Sequence, residues 1–241
     1  MILLALESSA GSSSAAIWQD GNILSHEFVE GQYGHAERIV SQAHKVMTQA
    51  EIKLEQIDFF IGGRGPGSFT GIRTCLAAIT GFGIVADSQV FGVNGLSAIG
   101  FSCFQKLKYN ALSNQSIAIL SLSDTRRSSY YCQHFSSEKP MTDNIEDLDL
   151  AHLQNKISLL AELNDAVYII GAFEIERLML DEQHHKRQEW VNKVTFLRED
   201  LDATIIANFA GWQVQTGISL SPATPLYLAP AKVNKAKKSL W

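Results

Sequence analysis

The amino-acid sequence predicts an α/β protein made of two related mixed α/β units. Residues 1–107 read as three strands followed by alternating helices and strands, and new strands begin after a polar stretch at 110–116. With 241 residues, of which 46% are apolar, the chain is long enough to bury a substantial core. We therefore predict units at 1–110 and 111–241. The last helix and tail of the second unit are candidates for packing back on the first.

The elements follow from local patterns. The dipeptide Asp20-Gly21 between two apolar runs is a strong signal for a tight hairpin. Apolar residues recur on one face of a predicted helix at 35–50, namely Ile39, Ala43, Val46 and Ala50. The predicted strands are 2–6, 15–18, 23–29, 57–61, 90–93, 117–122, 130–135, 167–170 and 194–197. The other predicted helices are 71–86, 96–107, 148–163, one from 174 onwards, and 203–216.

A glycine-rich loop, Arg64-Gly-Pro-Gly-Ser-Phe-Thr-Gly-Ile-Arg73, joins the strand at 57–61 to the next helix. Backbone N–H groups at such a strand-to-helix turn can meet an anion. A Walker A loop is unlikely because no lysine follows Gly67, and the third small residue of a dinucleotide fingerprint is absent. The alternative is that the glycines only shape the turn. The candidate loop residues are Arg64, Gly65, Gly67, Ser68, Thr70 and Arg73.

The same loop is similar to the signature of the bacterial TsaB (YeaZ) family. Further similarity lies in the opening segment Leu3-Leu-Ala-Leu-Glu-Ser-Ser9, the segment His35-Ala-Glu-Arg-Ile-Val40, the segment Asp124-Thr-Arg-Arg-Ser-Ser-Tyr-Tyr131 and the C-terminal Pro225-Leu-Tyr-Leu228. The resemblance covers most of residues 1–135 and is thin between 136 and 220. It implies the fold of the actin, sugar-kinase and Hsp70 superfamily.

The resemblance also implies a function. Such a protein is a non-catalytic partner of the complex that adds a threonylcarbamoyl group to N6 of adenosine in the tRNA anticodon loop. It is expected to bind and stabilise the catalytic TsaD-type subunit, to recruit a TsaE-type ATPase, to meet tRNA mainly through the complex, and to form a homodimer when alone. Arg126 is a candidate contact to the loop or to the partner.

The sequence predicts no catalytic residue and no metal ligand. The catalytic sister family carries a histidine-containing metal motif where this chain has Val93-Asn94-Gly95-Leu96-Ser97-Ala98-Ile99, so that Gly95 and Ile99 replace the two histidines. His35 and His44, nine residues apart on a helix, point in opposite directions. The three cysteines, Cys75, Cys103 and Cys132, lack metal-ligand spacing and are expected to be buried and reduced.

Glu7, Ser8 and Ser9 form a possible nucleotide contact at the end of the first strand. Glu7 could hold Mg²⁺ through water and the hydroxyls could touch phosphate, or all three could stabilise their own loop. We therefore predict no cofactor of its own, with ATP and Mg²⁺ left open. The main alternative function is a stand-alone ATP-dependent phosphotransferase, and a metallopeptidase is a second alternative.

Small side chains on the helix at 71–86 form a candidate interface: Gly71, Thr74, Ala78, Gly81 and Val85. The alternative is packing against the protein's own sheet. The net charge of −5 argues against a protein that grips RNA alone, although Lys232, Lys235, Lys237 and Lys238 make the C-terminus basic. No signal peptide and no run of membrane-spanning length is evident, which predicts a cytoplasmic protein.

Overall fold

A computed structural model describes residues 1–31, 35–109, 115–136, 144–171 and 192–228. Its strands are β1 (Ile2–Glu7), β2 (Ser12–Gln19), β3 (Asn22–Glu30), β4 (Phe59–Gly63), β5 (Gln89–Val93), β6 (Ile117–Asp124), β7 (Ser129–Ser136), β8 (Ile145–Asp149), β9 (Ala166–Gly171), β10 (Val194–Leu197) and β11 (Ser221–Pro222). Its helices are α1 (His35–Gln49), α2 (Phe69–Ala86), α3 (Gly95–Tyr109), α4 (Leu150–Leu163) and α5 (Ala203–Gln215), with a short 3₁₀ helix at Leu54–Gln56.

The two sheets repeat one strand order. The first sheet runs β11-β5-β4-β1-β2-β3 and the second runs β10-β9-β6-β7-β8. In each, three consecutive strands form an antiparallel meander, and the next two add in parallel beside the first strand of the meander. This repetition confirms the predicted duplication, which no sequence repeat reveals.

Alternation along β1 sends side chains to two different cores. Leu4 and Leu6 pack with α1 and α2 on one face, whereas Leu3 and Ala5 pack with α3 and α5 on the other. The α1 face predicted from the sequence is confirmed, because Ile39, Ala43 and Val46 are buried there. A third core lies between α4 and the second sheet. Cys75, Cys103 and Cys132 are buried and unpaired, as predicted.

Two helices lie between the sheets and are exchanged between the halves. The helix α3, which follows the first five strands, packs on β6, β7 and β9, whereas α5, which follows the second five, packs on β1 and β2. The close approaches match: Gly100 of α3 faces the ring of Phe135 on β7, and Gly211 of α5 faces the ring of Trp18 on β2. At both glycines a Cβ would overlap the ring.

Several boundaries differ from those predicted. The sequence misses β8 and β11 and starts the fourth helix at 148 instead of Leu150. The glycine-rich helix begins at Phe69, two residues earlier than predicted, because Ser68 caps it. The Asp20-Gly21 hairpin is confirmed, since both residues have the positive φ angles (47° and 98°) of a type I′ turn. The helix expected from 174 and the boundary at 110/111 fall outside the described residues.

Candidate functional site

The glycine-rich loop is hydrogen-bonded on several sides. Arg64 N donates to Val93 O (2.9 Å), Gly95 N to Gly65 O (2.9 Å), Ser68 N to Ser9 O (2.8 Å) and Leu226 N to Arg64 O (2.8 Å). These bonds join the loop to the end of β5, to the turn after β1 and to the C-terminal segment 220–228. The loop is therefore a junction of the first half of the molecule.

The glycines of this loop allow backbone to lie against backbone. A Cβ at Gly67 would overlap the carbonyl of Ser9, and a Cβ at Gly71 would overlap the carbonyl of Ser8. Gly65 has φ of 94°, which L side chains rarely adopt. The close packing of the β1 end against the start of α2 thus by itself requires glycine at these positions.

The helix α2 starts from a well-satisfied cap. Ser68 Oγ accepts a hydrogen bond from Gly71 N at 3.2 Å, and Ser8 Oγ donates to Gly71 O at 2.8 Å. Gly71 is therefore enclosed by the protein itself. Its place in the interface stays a prediction, which this burial does not favour, since helical spacing alone does not tell which stripe of a mostly apolar helix faces outward.

The outward face of α2 is nonetheless apolar and open. Ile84 and Val85 are 76% and 75% exposed. Gly81 is exposed as well, with nothing within 4 Å of where its Cβ would be. Of the other predicted interface residues, Thr74 and Ala78 are half-buried, and Ala78 packs against the core shared with α1. The open surface therefore includes Gly81 and Val85 of the predicted stripe together with the neighbouring Ile84.

A cluster of side chains connects the start of α2 to the C-terminal segment. The guanidinium of Arg73 lies 3.7 Å from the centre of the Phe69 ring, and its Nε donates to Tyr227 Oη at 2.8 Å. The Phe69 and Tyr227 rings stack with centres 5.0 Å apart. Arg73 is among the residues predicted from the sequence but its contact with Tyr227 is not, since 154 residues separate the two. Thr70 is exposed beside this cluster.

A cleft of about 610 Å³ lies between the two halves, lined by the turns after β1 and β6, the loop residues Pro66, Gly67 and Ser68, and the start of α3. Ser9 lines it, but Glu7 and Ser8 do not. The nucleotide contact through Glu7 and Ser8 stays a prediction that this cleft does not favour, since both side chains are buried behind its wall.

Arg126 lies on the opposite wall of the cleft. Its φ is 56°, and its backbone N–H donates to Asp124 Oδ1 at 2.7 Å. A Cβ built on Gly11 would lie 3.2 Å from Arg126 Nη2, so the guanidinium reaches the turn after β1. Its contact with the loop or with a partner stays a prediction.

Comparison with known proteins adds the family. A model of the TsaD family, described as tRNA N6-adenosine threonylcarbamoyltransferase, matches residues 29–200. The tRNA threonylcarbamoyladenosine biosynthesis protein TsaB of Escherichia coli strain K12 is 27% identical over 139 residues, which are 58% of this chain and 57% of that protein. TsaB of Haemophilus influenzae is 28% identical over 143 residues, 59% of this chain and 57% of that protein. The chain belongs to the TsaD family, in its TsaB (YeaZ) branch.

The matches to these TsaB proteins span little more than half of their length, namely 57%. Solved structures extend the similarity of fold to nearly the whole chain. YeaZ from Pseudomonas aeruginosa superimposes with a TM-score of 0.68 and 19% identity, covering 94% of this chain and 99% of that one. A protein described as similar to peptidase YEAZ from Pseudomonas aeruginosa gives 0.69 and 20% identity, covering 95% and 99%. The TsaB-type fold is thus present in both halves.

In this TsaB-family chain, packing explains Gly95 and Ile99, the residues where the resemblance places the two histidines of the catalytic sister. Gly95 faces Leu201, whose side chain would overlap a Cβ there, and Ile99 is 5% exposed within the central core. Among the residues that the structure describes, no three His, Cys, Asp or Glu side chains are grouped as a metal site would require.

In this TsaB-family protein, α2 departs from the expectation that no run of the chain reaches membrane-spanning length. Within the described part of the chain, α2 is long and apolar enough to cross a membrane by those criteria alone, with a mean hydropathy of 1.5. Core helices pass the same test, and the side chains of Ile72, Leu76 and Ile79 are buried against the first sheet. The apolar character of α2 therefore serves the core on one side and leaves Ile84 and Val85 on the other.

Proposed function

We propose that this chain is a non-catalytic partner subunit in the biosynthesis of threonylcarbamoyladenosine in tRNA. The observation that carries the proposal is the exposed apolar face of α2, centred on Ile84 and Val85. At the start of this helix, Arg73 bonds to Tyr227 of the C-terminal segment. Exposed apolar surface of this kind is typical of protein–protein contacts. The relatives named TsaB supply the pathway.

The residues at two positions of α3 support a partner role, because neither glycine nor isoleucine can ligate a metal. Gly95 and Ile99 stand at the histidine positions of the catalytic sister and pack into the core. We infer that a TsaD-type subunit performs the transfer to N6 of adenosine, that this chain binds and stabilises it through α2, and that a TsaE-type ATPase joins the assembly. On this proposal tRNA is held mainly by the complex, in the cytoplasm.

The same face supports a homodimer when the catalytic subunit is absent. Arg73 near the start of α2 and Asp87 at its C-cap are both exposed, and Thr80 and Gly81 lie midway between them. In an antiparallel pair of α2 helices, small residues would meet at the crossing and Arg73 of each copy would approach Asp87 of the other. A two-fold contact of this kind is self-complementary.

A phosphotransferase remains the second candidate function because the cleft has room for a nucleotide. The position of Glu7 weighs against it, since this carboxyl is buried behind the cleft wall and does not line the cleft. Titration with ATP and Mg²⁺ tests it: stoichiometric binding that is lost in Glu7→Ala would favour the phosphotransferase.

The test of the proposed function is a reconstitution. tRNA, ATP, threonine and bicarbonate are incubated with the threonylcarbamoyl-adenylate synthase, the TsaD-type subunit and the TsaE-type ATPase of the same organism, with and without this chain. Nucleoside mass spectrometry measures the modified adenosine. Product is expected only when both this chain and the TsaD-type subunit are present, and equal product without this chain would contradict the proposal.

Variants locate the contact. Ile84→Glu places a charge on the exposed face of α2 and should abolish the complex in light scattering and the product in the reconstitution. Leu163→Glu is the matched control, because Leu163 is also exposed (69%) and lies on α4, which packs on the second sheet, whereas α2 packs on the first. These positions are preferable to Ala78, whose replacement would also disturb the core. Equal loss in both variants, or loss in neither, would contradict the assignment of the contact to α2.

A further inference from the structure

Glu7 is a buried acid at the end of β1 whose two oxygens have different surroundings. It is 1% exposed, and its Oε1 accepts a hydrogen bond from the Ser9 amide. Its Oε2 lies against Gly63, where a Cβ would overlap it, and has no hydrogen-bond partner among the described residues. A buried carboxylate in this position lacks the second donor that a negative charge requires, so the fold favours the neutral acid.

Among the described residues, the elements packed around Glu7 place no positive charge that stabilises its ionised form. On α2 it faces the thiol of Cys75, which donates to Leu6 O at 3.1 Å. At the start of α5 lies Asp202, whose Oδ2 is 3.3 Å from His26 Nε2 on β3. From β2 and β4 its neighbours are Ser14 and Gly63, neither of which titrates. Burial raises the pKa of Glu7 most, and the negative charge of Asp202 raises it further. The resulting pKa is about 7.

A short chain of hydrogen bonds runs from Glu7 to the N-terminus of α2. The carboxyl accepts from Ser9 N, and Ser9 O accepts from Ser68 N at 2.8 Å. Ser68 is the residue that caps α2. The adjacent Ser8 donates to Gly71 O in the first turn of the same helix. The backbone of Ser9 therefore links the position of the Glu7 carboxyl to the start of α2.

We propose that Glu7 is a proton-controlled brace: the neutral acid holds the turn at residues 8 and 9 against the start of α2, and loss of its proton to solvent opens this corner of the fold to water. The device belongs to the isolated chain and does not depend on the proposed function. An effect of this proton loss on partner binding through α2 does rest on that function.

The contribution of Glu7 to stability depends on pH because the fold binds its proton more tightly than the unfolded chain does. In the unfolded chain a glutamate ionises near its ordinary pKa, whereas in the fold it resists ionisation up to about pH 7. The contribution of Glu7 to stability is therefore fully present below about pH 4.5 and is lost as the pH rises through about 7. Between pH 5 and pH 8 the equilibrium constant for closing this corner should fall by about a hundredfold.

Two measurements on the full chain test the proposal. Carboxyl ¹³C NMR of Glu7 should give a titration midpoint near neutrality, and a midpoint below about 5 would overturn the proposal. Hydrogen exchange at the Ser9 and Ser68 amides, corrected for the intrinsic rate, should show about a hundredfold loss of protection between pH 5 and pH 8.

A pair of variants separates the acid from general effects of pH. Glu7→Gln keeps the shape but cannot ionise, so its protection at Ser68 should not change with pH beyond the correction. Glu51→Gln is the control, because Glu51 is exposed and should behave as wild type. If Glu7→Gln does not fold, the NMR midpoint together with the exchange profile of wild type decides. A neutral midpoint with unchanged protection at Ser9 and Ser68 overturns the brace.

Discussion

Individual glycines in this chain have opposite physical roles, although the sequence presents them alike. Gly71 and Gly81 both lie within α2, ten residues apart. A Cβ at Gly71 would overlap the backbone carbonyl of Ser8, which cannot move away as a flexible side chain could. At Gly81 a Cβ would meet nothing within 4 Å. The first glycine is required by packing, and the second only lowers helix propensity.

This contrast makes a prediction of opposite sign for one substitution. Gly71→Ala should lower the free energy of unfolding by about 1–3 kcal/mol or more because it forces β1 away from α2. In the monomer, Gly81→Ala should raise the free energy of unfolding by up to about 1 kcal/mol, the difference in helix propensity, whereas the proposed homodimer brings Gly81 to the helix crossing. Urea denaturation followed by circular dichroism measures both. Destabilisation by Gly81→Ala would show that the open surface around it is occupied, for example by a second copy.

At the scale of elements, the C-terminal segment 220–228 behaves as an edge of the first half. β11 pairs with β5, Leu226 bonds to the glycine-rich loop, and Tyr227 joins Arg73 and Phe69. The aromatic and guanidinium contacts are exposed, so each contributes modestly to stability. Together they fix a segment that has only a two-residue strand of its own.

We predict that Tyr227→Ala releases this segment while leaving the rest of the fold intact. The Leu226 amide should lose about tenfold or more of its hydrogen-exchange protection, whereas the Val167 amide in β9 should not change. Tyr227→Phe is the control, because it keeps the ring stack and loses only the hydrogen bond to Arg73. If Tyr227→Phe loses as much protection as Tyr227→Ala, the hydrogen bond and not the stack holds the segment.

At the scale of the whole molecule, the exchange of α3 and α5 links the stability of the two halves. Each helix covers the sheet of the other half, and each approaches an aromatic ring through a glycine, Gly100 with Phe135 and Gly211 with Trp18. The α5 contact also includes a 3.1 Å hydrogen bond from Trp18 Nε1 to Asn208 Oδ1. Neither half can lose its helix without uncovering the other's sheet.

Gly211→Ala and Gly100→Ala should therefore destabilise both halves at once. Each is expected to lower the free energy of unfolding by about 1–3 kcal/mol through overpacking against the ring. Far-ultraviolet circular dichroism and tryptophan fluorescence should report one coincident urea transition in wild type and in both variants. Separate transitions in either variant would contradict the coupling.

The sequence predicts the elements well where a local pattern decides them. Apolar runs give most strands, and Asp20-Gly21 gives the hairpin. The pattern is too weak at β8, an edge strand whose five residues Ile145–Asp149 include three acids, and at the two-residue β11.

The candidate site is less predictable from the sequence because its decisive contacts are long-range. The residues that join Arg73, the residue that encloses Gly71 and the burial of Glu7 depend on segments that meet only in the fold. Helical spacing on α2 could not separate the buried stripe from the exposed one, since residues on all its sides are apolar or small. Charged residues at the end of an apolar strand are usually exposed, whereas Glu7 is buried.

The placement of α5 has a consequence for synthesis. Trp18 and its partner Asn208 are separated by 190 residues, so β1 and β2 leave the ribosome long before the helix that covers them exists. At ordinary translation rates that interval is about 10–40 s. Throughout it the growing chain carries an apolar sheet face without its cover, which is the kind of surface that chaperones bind and that aggregation exploits.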